Sequence, residues 1–120
     1  MSWFKKTEQT ESLDAILNKW KSQGITLYVH EQENRIVIDS LIVPKEQRKR
    51  GIGSQIMQEL TDYADQVGKR IELSTGEKGY QGGTSRNRLI KFYKRFGLVQ
   101  NRGRNKDSRT SNTMYREPMI

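Results

Sequence analysis

The sequence predicts an α/β domain built on a central twisted, mixed sheet with helices on both faces. Segments with helical spacing alternate with short apolar segments, in the order helix, strand, strand, helix, strand, helix, strand, strand. The strand–helix–strand unit over residues 35–75 predicts two parallel strands joined by a right-handed crossover. Hairpins on either side of that unit add antiparallel strands, so the sheet is expected to be mixed.

After a polar tail over residues 1–10, the chain continues with a predicted helix and strand. Apolar residues recur at helical spacing over 11–23, with Ser12 at the N-cap position and Gly24 as the stop. Residues 25–30 then alternate apolar and polar side chains, which predicts a strand with one buried face.

The next unit is a central strand that leads into the longest predicted helix. Residues 35–43 are rich in Ile and Val and are apolar on both faces toward their end, which is typical of a centrally buried strand. Pro44 ends this strand, because proline cannot donate to a ladder. A single apolar stripe over 51–67 predicts a helix, which Gly68 closes.

The C-terminal half predicts three more strands and one helix. A strand over 70–75 is followed by a glycine-rich loop over 76–83 and by a helix over 85–96. A long polar stretch separates two final strands, at residues 98–101 and 113–116. No internal repeat or linker interrupts this order, so the 120 residues predict a single domain.

The composition excludes several kinds of chemistry. The chain has no cysteine, which excludes disulfides, thiolate metal sites and a cysteine nucleophile. His30 is the one histidine, so a metal site or a Ser-His-Asp triad would have to be built around it alone, and no metal is expected. No apolar run approaches the about 20 residues of a membrane span, and no signal-peptide pattern is present. We therefore expect a soluble, cytoplasmic protein.

The charge favours an anionic partner. The formal net charge is +8, which attracts anions over long range. Nucleic acid and a cofactor that carries phosphate groups both satisfy this condition, and composition does not choose between them.

A basic, glycine-containing loop joins the predicted strand over 35–43 to the following helix. The first amides of a helix have no partner within the helix and, together with the helix dipole, form an anion site. Glycines let phosphate oxygens approach the backbone. Neither a Walker A loop nor a dinucleotide fingerprint fits the spacing. The predicted anion site consists of Arg48, Lys49, Arg50, Gly51, Ile52, Gly53 and Ser54.

Two motifs in order resemble the GNAT acetyltransferase superfamily. The first is Arg/Gln-x-x-Gly-x-Gly/Ala between a strand and a helix, which Arg48, Gly51 and Gly53 satisfy. The second is an aromatic-Tyr pair, three residues, and then Gly followed by an apolar residue, which residues 92–98 satisfy. The resemblance covers roughly residues 25–117, and it implies a single GNAT-like domain with a shortened N-terminal part.

The resemblance implies that acetyl-CoA is the acyl donor and that the acetyl group passes directly to a primary amine. The pyrophosphate would lie on the amides of the loop, and Tyr93 matches the family tyrosine that protonates the departing thiolate. The pantetheine arm would pair with backbone groups of a splayed strand, at Leu41, Ile42 and Val43.

The sequence departs from the family pattern at two places. The family often has an asparagine seven residues before the tyrosine, where this chain has Arg86 followed by Asn87, so either residue is a candidate for a cofactor contact. The usual acidic base would align with Val37, which cannot act as a base. Asp39 should share that strand face and is the candidate base, with Glu72 or a water-mediated route as alternatives.

Several alternatives remain open at this point. The acceptor site could be open, completed by a second subunit, or formed by the loop over 76–83, and the chain could be a monomer or a homodimer. The acceptor amine is unidentified. A basic nucleic-acid-binding module, suggested by the polar stretch over 102–109, and a catalytically silent CoA-binding protein are the competing functions.

Overall fold

The computed structural model describes residues 12–75, 80–81 and 84–119. Short 3-10 turns lie at Lys45–Gln47 and Gly103–Asn105. The helices and strands, in chain order, are α1 (Leu13–Lys21), β1 (Thr26–Glu31), β2 (Arg35–Ile42), α2 (Ile52–Val67), β3 (Arg70–Leu73), β4 (Tyr80–Gln81), β5 (Thr84–Ser85), α3 (Arg86–Lys94), β6 (Val99–Gln100) and β7 (Met114–Arg116).

Local capping explains where the helices begin and end. The Ser12 hydroxyl accepts a hydrogen bond from the Ala15 N–H at 3.1 Å, and Ser85 does the same for Arg88 at 3.3 Å. Each bond satisfies one of the helix amides that lack an intrahelical partner. Gly68 ends α2 in the left-handed region at φ +71°, where a side chain would be strained.

Five strands form one mixed sheet in the order β1-β2-β3-β7-β6. β2 and β3 pair in parallel, and all other neighbours pair antiparallel. The predicted α/β class, the mixed sheet and the parallel strand–helix–strand unit are therefore confirmed. Strands β4 and β5 form a separate two-stranded ladder. β4 lies in the segment predicted as a loop, of which residues 76–79 and 82–83 lie outside the described residues, and β5 directly follows that segment.

The hydrophobic core lies on one face of the sheet, where all three helices contribute to a single buried cluster. Each large side chain buried there contributes roughly 1.5–3 kcal/mol. Alternation along the strands selects the inward residues. The sheet supplies Leu27, Ile36, Ile38, Leu41, Ile71, Leu73 and Met114, and the helices supply Leu13, Ile16, Trp20, Ile56, Met57, Leu60, Ala64, Leu89 and Tyr93.

The opposite face of the sheet carries a polar cluster centred on Glu72. There the buried carboxylate of Glu72 accepts hydrogen bonds from Arg35 at 2.7 Å and from Thr110 and Asn112 at 2.8 Å. The segment over 101–112 therefore packs against this face. Alternating positions on β2 and β3 place charged side chains here, and a polar segment can satisfy them where an apolar helix face cannot.

Candidate functional site

The central feature of the site is a split in the sheet between β2 and β3. Their pairing ends where Ile38 meets Leu73, whereas β2 continues to Ile42 paired with β1. Past this point, the backbone groups of β2 that face β3 have no strand partner among the described residues.

Two features hold the strands apart. The β1–β2 register shifts between Tyr28 and Val29, which leaves Asp39 unpaired as a bulge and bends β2. The chain after β3 follows β7 instead, because the Thr75 N–H donates to the Thr113 hydroxyl at 3.0 Å. The split is therefore part of the fold, and it exposes one strand edge to a ligand.

An apolar cleft of about 350 Å³ lies at the split. The predicted residues Leu41, Ile42 and Val43 form one wall, and helix α3 forms the other. An extended ligand arm could pair with the strand edge while its apolar parts contact the helix. The full lining is Leu41, Ile42, Val43, Arg48, Gly53, Arg88, Leu89, Phe92 and Tyr93.

A second, basic cleft of about 310 Å³ adjoins the first at the start of α2. The first backbone bond there runs from the Gln55 N–H to the Gly51 carbonyl at 3.0 Å, and no side chain caps the helix. The amides before Gln55 are therefore available to an anion. The lining is Val43, Gln47, Arg48, Lys49, Gly51, Ile52, Gly53, Ser54, Phe92 and Arg95. It includes every predicted loop residue except Arg50, which is exposed.

The loop that forms the basic cleft needs its two glycines for different reasons. Gly51 lies in the left-handed region at φ +73°, as does Lys49 at φ +69°. Gly53 has an ordinary backbone, but a Cβ there would lie 3.3 Å from the Phe92 ring. Gly53 thus permits close packing of α3 against the start of α2, in addition to the phosphate approach expected from the sequence.

Arginines tie the walls of the two clefts together. The Arg48 Nε donates to the Val43 carbonyl at 2.9 Å, which links the loop to the end of the split strand. The Arg95 Nη2 donates to the Ser54 hydroxyl at 3.1 Å, and its guanidinium lies 5.5 Å from the centre of the Phe92 ring. Both guanidinium groups are therefore held beside the anion site.

Three cleft residues from α3 were not predicted from the sequence: Arg88, Phe92 and Arg95. A signal was available, because positions 88, 92 and 95 lie on one face of a helix. The spacing over 85–96 predicts a helix, but it does not indicate which of its faces borders a cleft. Only the packing of α3 beside the loop shows that these three side chains line the two clefts.

Tyr93 lies at the inner end of the apolar cleft and is 5% exposed. Its ring packs edge-on against Phe92 at 5.2 Å between centroids. The hydroxyl makes no hydrogen bond to any residue that the structure describes. Burial raises the pKa of Tyr93 to about 12, so the phenol is protonated at neutral pH.

The remaining predicted residues do not line either cleft. Arg86 and Asn87 are exposed in the first turn of α3, and the Arg86 Nε reaches the Thr75 hydroxyl at 3.4 Å. Asp39 is half exposed, and its carboxylate lies 2.6 Å from the His30 Nδ1. Asp39 nevertheless sits at the bulge, two residues before the cleft residue Leu41.

Glu72, the alternative base, is 2% exposed and fully engaged. Burial opposes its ionisation, but hydrogen bonds from Asn112, Thr110 and Arg35 outweigh that effect and lower its pKa. A carboxylate that already accepts these bonds is a structural anchor for the segment over 101–112. Among the described residues, no group of side chains is arranged to hold a metal ion. None of the helices in the described ranges is both long enough and apolar enough to cross a membrane.

A split parallel strand pair beside a basic helix start is an arrangement suited to a phosphate-bearing ligand with an extended arm. The model of the acetyltransferase (GNAT) family matches residues 21–98, which is more than half of the chain. The chain therefore belongs to the GNAT family. A search of curated protein sequences found no match.

Solved structures agree with the fold. The crystal structure of the anti-CRISPR protein AcrVA5 is 24% identical with a TM-score of 0.58, over 76% of this chain and 87% of that one. A putative N-acetyltransferase from Lactobacillus plantarum is 18% identical with a TM-score of 0.54, over 79% and 60%. Arabidopsis thaliana Naa50, in complex with the bisubstrate analogue CoA-Ac-MVNAL, is 24% identical with a TM-score of 0.50, over 78% and 63%.

Proposed function

We propose that this protein is an acetyl-CoA-dependent N-acetyltransferase that passes the acetyl group directly to a primary amine. The observation that carries the proposal is the split strand edge beside Tyr93, continuous with a basic cleft at a helix start. An acyl donor with a long arm and a pyrophosphate needs both surfaces in this order. The Naa50 neighbour, which holds a CoA-derived analogue, supports the same ligand class.

The two clefts would hold different parts of acetyl-CoA. The amides of Ile52, Gly53 and Ser54, with Arg48 and Lys49, would hold the pyrophosphate. The backbone of Leu41, Ile42 and Val43 would pair with the pantetheine arm. Arg86 and Asn87 lie outside both clefts, so Arg88 and Arg95 are the better-placed contacts from α3.

The chemistry needs an uncharged amine, a polarised thioester and a proton for the departing sulfur. The amine nitrogen forms a bond to the carbonyl carbon, the carbon–sulfur bond breaks, and the nitrogen loses a proton. Tyr93 would donate a hydrogen bond to the departing sulfur, and the released thiolate would take its proton from water. Asp39, paired with His30 at the bulge, is the proposed acceptor of the amine proton, directly or through water.

Calorimetry with acetyl-CoA tests the cofactor site. The double variant Arg48→Glu/Lys49→Glu should bind acetyl-CoA at least about ten-fold more weakly, because charge-assisted hydrogen bonds contribute about 1.5–3 kcal/mol each. Lys45→Glu is the control, because Lys45 precedes the loop and lines neither cleft. Equal binding by the double variant and the control, with both folded, would remove the loop from the proposal.

A catalytically silent CoA-binding protein is the competing function. Turnover separates the two, because the silent protein would bind acetyl-CoA without releasing CoA when offered amines. We expect CoA release with at least one member of a panel that contains peptide N-termini, lysine peptides, polyamines and aminoglycosides. Binding without release across that panel would favour the silent alternative.

A further inference from the structure

The net positive charge of this chain arises from one segment. Residues 84–106 hold eight of the 22 Lys and Arg residues and none of the 14 Asp and Glu residues. The rest of the chain therefore holds 14 basic and 14 acidic residues and is formally neutral. The whole net charge of +8 comes from α3, β6 and the turn that follows.

The fold gathers this charge on one surface. Lys94 at the end of α3 and Arg102 after β6 line the same groove, of about 520 Å³, together with Asn105. Because α3 buries its apolar side chains against the core, its basic side chains face outward. We define the basic face as Arg88, Lys91, Lys94, Arg95, Arg102, Arg104 and Lys106, all of which are exposed.

Among the carboxylates that the structure describes, none forms an ion pair with the basic face. In the described ranges, none of its seven side chains lies in an ion pair, whereas most acidic groups elsewhere do. Asp107 adjoins the face, but hydrogen bonds from Arg109 and Arg70 hold it and lower its pKa. Arg109, which lies in the polar stretch over 102–109, is thus paired with Asp107 and does not belong to the basic face.

The face fits a partner of uniform negative charge. The exposed large apolar side chains among the described residues are Tyr28, Val67 and Met119, and none comes from residues 84–106. A protein interface would be expected to present an aromatic or apolar centre here. Single-stranded nucleic acid is commonly held by stacking on aromatic rings, which the face does not expose. A duplex backbone requires only spaced cations.

We propose that the basic face binds the phosphate backbone of duplex nucleic acid without reading its sequence. The proposal does not depend on acetyl transfer. Arg88 and Arg95 also line the cofactor clefts and can serve either ligand. Arg102, Arg104 and Lys106 lie outside both clefts, so the two ligands can bind together.

Fluorescence anisotropy with a labelled random-sequence DNA duplex, titrated at several salt concentrations, tests this proposal. We expect a Kd of about 10⁻⁶ to 10⁻⁴ M at physiological salt and strong salt dependence. The variant Arg102→Gln/Arg104→Gln should reduce the slope of log K against log salt by about 2. Lys21→Gln/Lys45→Gln is the matched control, because it lowers the net charge equally and should leave the slope unchanged.

Three results would overturn the proposal. The first is no binding at low salt and about 100 μM protein. The second is an equal loss of slope in the control variant, which would indicate net charge alone. The third is complete displacement by CoA or by polyglutamate at equal charge concentration, which would assign the face to the cofactor or to acidic proteins.

Discussion

Replacement of Tyr93 by phenylalanine removes one oxygen from the inner end of the apolar cleft. The ring is buried and packs edge-on against Phe92, and phenylalanine retains that contact. The hydroxyl has no hydrogen-bond partner among the described residues, so its loss should not lower stability. The variant therefore separates a role in catalysis from a role in packing.

The raised pKa of Tyr93 decides how large the catalytic effect can be. Burial raises this pKa to about 12, whereas an ordinary alkyl thiol has a pKa of about 8.5. Complete proton transfer from the phenol to a thiolate would then be uphill by about 3.5 pKa units, or roughly 5 kcal/mol. Tyr93 should instead stabilise the developing charge as a hydrogen-bond donor, which is worth about 1.5–3 kcal/mol.

Tyr93→Phe should therefore lower kcat about 10- to 150-fold and leave the KM for acetyl-CoA within about two-fold. CoA release, followed with a thiol reagent at saturating amine, measures kcat, and the melting temperature serves as the control for folding. Because the pKa is about 12, the wild-type rate should show no limb from this phenol below about pH 10. A loss of less than about three-fold, or a limb near pH 8–9 that disappears in the variant, would refute this argument.

Two further predictions concern stability. Gly51→Ala should lower the free energy of unfolding by about 1 kcal/mol in urea denaturation, because the left-handed backbone at φ +73° strains any side chain; an unchanged midpoint would contradict it. Glu72→Gln should cost about 3 kcal/mol, because it leaves the half-buried Arg35 without its anion and removes one of the anions that face Arg70. The pKa of Glu72 is lowered in the folded protein, so its carboxylate contributes its full stabilisation above the unfolded pKa of about 4.3. The difference in the free energy of unfolding between the wild type and Glu72→Gln should shrink as pH falls through the folded pKa. A difference that does not change with pH would show that Glu72 is not held as a carboxylate.

The order of elements could be predicted from the sequence, because each depends on spacing over a few residues. The helix caps at Ser12 and Ser85, the stop at Gly68 and the parallel unit that encloses the loop all follow local rules. The basic loop before α2 was also recognisable, because an anion site at a helix start is built from consecutive residues. The apolar wall of Leu41, Ile42 and Val43 was predicted with it.

The position of the split and the hydrogen-bond partners of Glu72 could not be predicted in this way. The split depends on where the β2–β3 register stops, which a bulge at Asp39 and the bond between Thr75 and Thr113 determine. The partners of Glu72 lie 37 to 40 residues away in the chain. No local pattern encodes such pairs, because they form only when distant segments meet on the same sheet face.

The sequence by itself therefore determined the fold class, the basic loop before α2 and the total charge, all of which are local or additive properties. Only the tertiary structure decided which side chains of α3 complete the clefts, which carboxylates are already occupied, and that the unpaired cations form one face. Those features depend on the packing of α3 beside the loop and of residues 101–112 against the sheet. The physical reason is that neighbours across a fold are chosen by packing and register, not by distance along the chain.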